Sequence, residues 1–223
     1  YSTPESVELL DLASGEVEPV GGEGSRYAVW SPDGVYLAVG GSNPSLLRTS
    51  DLSSEIGYYP YVDASFSFSA DSTAFVRAWS YFSDVGERYN TVRSDVAVAL
   101  YSAVVVGASP RPMAYPSPSP DGQWLVMAQG CGDSSANMSL WVTPYYFATP
   151  ACEGRPLTPR DGVTATNPEW GPGSLIAFEY GDSPRDIAIV DANTGQQCYI
   201  PRAGDDRNPS WVRVPLPPPE PPR

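Results

Sequence analysis

Histidine and lysine are both absent from this chain, and all thirteen of its cationic side chains are arginines. That removes a histidine general base, histidine metal ligands and a Schiff-base lysine, so any chemistry must come from carboxylates, tyrosines, serines or cysteines. No Ser-His-Asp set can form, and no Gly-x-Ser-x-Gly elbow occurs. Cysteine is scarce. Cys131, Cys152 and Cys198 fit no metal spacing, and read either as separate thiols or as one disulfide with a thiol left over. No apolar run approaches the roughly 18 to 20 residues that cross a bilayer as a helix, so direct membrane insertion is not expected. No charged-then-apolar leader is visible and no stretch keeps a helical apolar period. Nothing in these residues asks for a metal or a cofactor.

What is present is acidic and rich in turn formers. A formal charge of −13 and a pI near 4.2 repel polyanions, which disfavours nucleic acid and leaves protein partners and glycans. The chain begins at Tyr1 rather than methionine, and reads as a processed extracytoplasmic protein, periplasmic, secreted or at the cell surface, whose leader has been removed. Asn137-Met138-Ser139 matches a glycosylation sequon, a pattern short enough to arise by chance.

One pattern recurs. Val29-Trp30-Ser31-Pro32-Asp33-Gly34 leads from an apolar stretch through a tight turn into a second apolar run. Ser117-Pro118-Ser119-Pro120-Asp121-Gly122 repeats it, Phe66-Ser67-Phe68-Ser69-Ala70-Asp71 repeats it with the turn proline replaced, and Pro168-Glu169-Trp170-Gly171-Pro172-Gly173 and Asn208-Pro209-Ser210-Trp211 are weaker copies. Asp33, Asp71 and Asp121 are expected to cap these turns rather than to react. Hairpins with an Asp start and a Gly turn follow, at 7–20 and 186–200, with looser versions at 45–55, 95–106 and 139–158. The unit is therefore four strands. Trp30, Phe68, Pro118, Trp170 and Trp211 are spaced by 38, 50, 52 and 41 residues, bracketing the roughly 40 to 50 of propeller blades.

Trp30-Ser31-Pro32-Asp33-Gly34 and Ser119-Pro120-Asp121-Gly122, each followed by an apolar strand, resemble the TolB-type, WD-like β-propeller repeat. The resemblance implies an all-β propeller of four-stranded blades on a scaffold that serves many functions. Counting the copies gives five blades. One of them is shared between the opening hairpin and a first strand over 208–214, and sharing it removes exposed strand edges. A six-bladed or incomplete ring is the alternative. The propeller is expected over 1–214. Beyond it Pro215-Leu216-Pro217-Pro218-Pro219-Glu220-Pro221-Pro222-Arg223 reads as an extended polyproline spacer, or an arm that packs on a partner.

In such a ring the loops ahead of each first strand gather at one end of the channel, where ligands bind. The residues there are Arg26 and Tyr27, Tyr61 and Asp63, Arg111 and Tyr115, Asn167, and Arg207 and Asn208. Residues 79–93, read as the longest inter-strand loop, add Tyr81, Phe82, Arg88, Tyr89 and Arg93. Arginine and tyrosine suit recognition of peptides or glycans. The second aromatic cluster, Trp141, Tyr145, Tyr146 and Phe147, reads as packing. The expected function is a non-catalytic propeller binding protein partners within a larger surface or envelope assembly. Carbohydrate or small-ligand binding is the alternative, and a glycoside hydrolase using Asp63, Glu169, Asp205 or Asp206 ranks below both.

Overall fold

The computed structural model describes residues 7–21, 24–41, 44–53, 62–83, 86–95, 103–109, 111–131, 137–145, 152–159, 162–200 and 204–211, with the side chains of 62–64, 79, 81–83, 86–90, 92–95 and 103–109 left aside. Every regular element among them is a β-strand, and every pairing is antiparallel.

The chain opens with a hairpin, β1 (Val7–Leu10) and β2 (Val17–Val20). Sheet 1 follows as β3 (Ser25–Trp30), β4 (Tyr36–Gly41) and β5 (Ser45–Arg48). Sheet 2 contains β6 (Val62–Phe68), β7 (Ala74–Ser83), β8 (Gly86–Asp95) and β9 (Ala103–Ser109). Sheet 3 contains β10 (Met113–Pro118), β11 (Trp124–Gln129), β12 (Ser139–Pro144) and β13 (Arg155–Pro156). Sheet 4 contains β14 (Ala165–Trp170), β15 (Leu175–Tyr180), β16 (Asp186–Asp191) and β17 (Gln197–Ile200). In each sheet the strands pair in chain order, while Gly41 opposite Ala64 is a single bridge between sheets 1 and 2.

The core lies between sheets rather than within any one of them. Val126, Leu140 and Val142 of sheet 3 pack on Ile176, Phe178 and Val190 of sheet 4. Val76 of sheet 2 meets Met113, Leu125, Met127 and Tyr145 of sheet 3. Ala38 and Leu46 of sheet 1 meet Phe66, Phe68 and Phe75 of sheet 2, and the opening hairpin closes over Leu37, Val39 and Leu47. A second strand is thus covered on both faces, which is why Leu125-Val126-Met127-Ala128 reads as a continuous apolar run instead of alternating. Trp141 and Tyr145 are each 1% exposed, in keeping with their reading as packing; Tyr146 and Phe147 lie outside the described residues.

Three turns between first and second strands are built alike. Ser31 Oγ donates to Asp33 Oδ1 at 2.6 Å while accepting Tyr36 N at 2.9 Å, and Asp33 Oδ1 also accepts Val35 N at 3.0 Å. Ser69 with Asp71 and Ser119 with Asp121 make the same set. The fourth position of the turn needs a left-handed backbone. Gly34 and Gly122 supply it at φ 71° and 66°, and Ser72 adopts it at φ 60°. These bonds, led by that from the serine hydroxyl, hold all three aspartates below the usual carboxylate range.

One expectation needs correction. Residues 79–93 are not a loop: β7 and β8 pair in register from Ala74 opposite Asp95 to Ser83 opposite Gly86. Aromatic, Val and Thr residues favour extended backbone, and the two strands run on past the last partners of their neighbours, Val62 and Ser109. The hairpin therefore stands roughly 10 Å beyond the sheet at about 3.3 Å per residue. The motif aromatic differs in burial from copy to copy. Phe68 is 7% exposed, but Trp30 is 52% exposed.

Candidate functional site

Strand direction separates two ends of the molecule. The Ser-x-Asp turns and the third-to-fourth-strand turns lie at one, the turn end. The segments leading into first strands and the second-to-third-strand connections lie at the other, the mouth end.

At the mouth end each of the four described first strands is bulged, between Ser25 and Tyr27, Val62 and Ser65, Ala114 and Ser117, and Thr166 and Glu169, with the bulge nearer the motif turn in sheets 3 and 4 than in sheets 1 and 2. In sheets 3 and 4 the bulge residue is left-handed, Tyr115 at φ 53° and Asn167 at φ 49°, and Asn208 takes φ 53° at the corresponding point ahead of Trp211. Asparagine tolerates this conformation, whereas tyrosine gives up roughly 1–2 kcal/mol. Hydrogen bonds to the preceding sheet hold it: Tyr115 N donates to Ser65 Oγ at 2.9 Å, and Asn208 N to Glu179 Oε1 at 2.9 Å. A bulge of this kind re-aims the side chain it carries.

The most developed polar cluster surrounds Glu179, which is 3% exposed on β15. Its Oε1 accepts Asn167 Nδ2 at 3.0 Å as well as Asn208 N, and its Oε2 pairs with the Arg185 guanidinium. Asn167 Nδ2 also donates to Asn208 Oδ1 at 2.8 Å. Arg185 N donates to Asp205 Oδ1 at 2.9 Å, and Asp205 Oδ2 receives Arg207 at 2.7 and 2.9 Å. The Arg207 bonds, more than any other contact, hold Asp205 below the usual carboxylate range. A buried carboxylate so fully paired is a clamp. It ties segment 205–208 to sheet 4. Two of the expected binding residues, Asn167 and Asn208, belong to it, and Arg207 stands exposed at its edge.

The remaining expected residues divide. Arg26 and Arg111 are exposed, and Tyr115 is 37% exposed. Tyr27 is half-buried, its ring laid so closely over Gly40 that no Cβ fits there, and it packs against the core between sheets 1 and 2. Asp63, Tyr81, Phe82, Arg88, Tyr89 and Arg93 lie on β6, β7 and β8 with side chains outside the described residues, as Tyr61 is altogether. The central members Glu179 and Arg185 were not picked out from the sequence. The signal that could have found them is the dipeptide Asn-Pro, which recurs at 167–168 and 208–209, three residues before a motif tryptophan.

Of the carboxylates considered for hydrolysis, Glu169 is partly buried, and burial pushes its pKa up to about 7. Its backbone carbonyl accepts Trp211 Nε1 at 3.0 Å. Asp205 is engaged as above, Asp206 N donates to Arg185 O at 2.8 Å, and the Asp63 side chain is outside the described residues. Among the described residues no second open carboxylate is brought to Glu169, and no group of three or more acidic or cysteine side chains forms a metal site. Cys131 and Cys152 are joined as a disulfide, and Cys198 is an exposed free thiol.

No family model matches the chain, and no curated protein matches it. Solved structures do. TolB from Acinetobacter baumannii is similar at TM-score 0.64 and 16% identity over 87% of this chain and 48% of that one, so the chain spans about half the length of that TolB. The β-propeller domain of the Trilobed protease from Pyrococcus furiosus, described as having an open velcro topology, is similar at TM-score 0.60 and 9% identity over 88% of this chain and 63% of that one. KlAtg21, in its complex with the coiled coil of AgAtg16, is similar at TM-score 0.60 and 13% identity over 91% and 64%. At such identities the likeness shows the fold alone: this chain is an all-β protein of β-propeller type, with a TolB among the structures it resembles.

Proposed function

We propose that the chain is a non-catalytic binding propeller that presents its mouth end to a protein partner in an oxidising, extracytoplasmic compartment. One observation carries the reading. Each described first strand is bulged toward this end, and what stands at the bulge changes: exposed Arg26 in sheet 1, exposed Tyr115 in sheet 3, and Asn167 engaged by Glu179 in sheet 4. A recurring distortion whose side chains change from sheet to sheet serves recognition better than folding. The protruding β7–β8 hairpin stands at the same end and adds surface of the kind protein partners use. The Cys131–Cys152 disulfide supports the oxidising compartment. Closure at five blades, the fifth shared between β1–β2 and 208–214, is part of the proposal. It is supported by Asn208, whose backbone and hydrogen bond to the preceding sheet match those of Tyr115.

Photo-cross-linking in the native host tests it. A benzophenone side chain at Tyr115 or Arg111 captures one defined protein, and the same group at Val35, exposed at the turn end, captures none. Capture from Val35 and not from Tyr115 would sink the proposal. Thiol titration of denatured protein purified from that compartment gives one thiol per chain before reduction and three after. Three before reduction removes the oxidising compartment.

A further inference from the structure

The turn end holds a cleft that the mouth-end reading does not use. Between sheets 3 and 4 it encloses about 450 Å³, walled by Trp124 and Trp170 and rimmed by Pro120, Asp121 and Asn193. Trp124 is 45% exposed, and its indole N–H meets no acceptor among the described residues. Trp170 is fixed by its Nε1, which donates to Gly173 O at 3.1 Å. Asp121 uses Oδ1 for Ser119 and Gln123, leaving Oδ2 open, and the Asn193 side-chain amide is likewise uncommitted among the described residues. Among the described residues no cationic side chain lines the cleft.

Two indole walls, a free indole N–H, an amide and an open carboxylate oxygen make up a particular set of complementary groups. Indoles stack on pyrrolidine rings, N–H groups bind the carbonyls that a polyproline helix leaves unbonded, and a carboxylate takes a guanidinium. The chain carries a segment of that chemistry in 215–223, six prolines ending in Arg223. It begins four residues beyond Trp211, whose ring lies over Gly171 beside Trp170. Nine residues as a polyproline helix span roughly 28 Å at about 3.1 Å each, more than the step from Gly171 to the cleft wall at Gly173 and Ser174 requires. In a chain of net charge −13, an arginine aimed at Asp121 is also electrostatically matched. We propose that residues 215–223 dock in the Trp124–Trp170 cleft of their own chain, with Arg223 toward Asp121.

The test compares the full chain with a full-length variant in which Pro215, Pro217, Pro218, Pro219, Pro221 and Pro222 are all changed to serine. A labelled synthetic peptide of residues 215–223 is titrated into each and followed by anisotropy. Saturable binding to the serine variant is expected, at least tenfold weaker to the parent because the tethered segment competes at high effective concentration. Adding Trp124→Ala to the serine variant weakens peptide binding at least tenfold with an unchanged thermal midpoint, since Trp124 is exposed. No saturable binding to the serine variant, equal binding to both chains, or binding indifferent to Trp124→Ala overturns the proposal. So does a parent chain that sediments as a dimer while the serine variant is a monomer, because the segment then belongs to a second copy.

Discussion

The two ends of the molecule obey different rules. At the turn end, Ser31 with Asp33, Ser69 with Asp71 and Ser119 with Asp121 make one set of hydrogen bonds three times over, even where serine replaces the glycine. At the mouth end a bulge recurs in every described first strand, but its position shifts between sheets, what it carries changes, and what braces it changes too, from Ser65 under Tyr115 to Glu179 under Asn208. Repetition of side chains as well as backbone marks construction. A recurring distortion with changing side chains marks a platform.

The comparison breaks most sharply at Glu179, where the mouth end departs from platform and becomes a clamp. Glu179→Ala leaves the partly buried Arg185 without its carboxylate and frees the Asn208 amide, and is expected to cost about 3–5 kcal/mol in a denaturant titration. A cost under about 1 kcal/mol would mean that segment 205–208 is held by something else.

Glu169 gives a smaller effect with a pH signature. Its carboxyl titrates near 7 in the folded chain against 4.5 in the unfolded one, so as pH rises the unfolded chain loses its proton first. Stability therefore falls from about pH 4.5 to about pH 7, and the loss is complete above that, at most about 3 kcal/mol. Glu169→Gln should be the more stable protein at pH 8 and nearly level with the parent at pH 4.5. Parallel stability curves for the two would remove the inferred shift.

At the turn end, Ser119→Ala removes a buried hydroxyl that serves Asp121 and the Trp124 amide, for about 1–3 kcal/mol. Ser31→Ala and Ser69→Ala should match it within about a factor of two, and a wide spread among the three thermal midpoints would show that the turns are alike in geometry but not in energy. Smallest of all, Arg111→Ala should move stability by no more than about 0.5 kcal/mol, because the side chain is exposed. If cross-linking from Tyr115 nonetheless disappears in that variant, the mouth end is a platform in the sense proposed.

Legibility in the sequence followed the same division. The turns were readable because Ser-x-Asp bonds close within five residues and need nothing from elsewhere. The hairpins at Asp11 and Asp191 were readable for the same reason, each aspartate accepting two amides of its own turn. The hairpin over β7 and β8 was misread as a loop, since its aromatics and arginines follow no strict alternation and a long pair of strands looks like a long excursion. Tyr27 was read as a binding residue although its ring lies on Gly40, a contact between paired strands that no local pattern announces. Glu179 went unread because a lone carboxylate in Leu175–Tyr180 carries no sign of which partners will meet it.

The sequence by itself determined the repeat, the turn chemistry and the all-β architecture, because those rest on interactions between residues a few positions apart. Only the tertiary structure decided which mouth-end side chains are spent on the clamp and which face outward. It also paired Cys131 with Cys152 and brought Trp124 and Trp170 from two sheets to one cleft. Those pairings join residues tens of positions apart, and their partners are chosen by how neighbouring sheets stack.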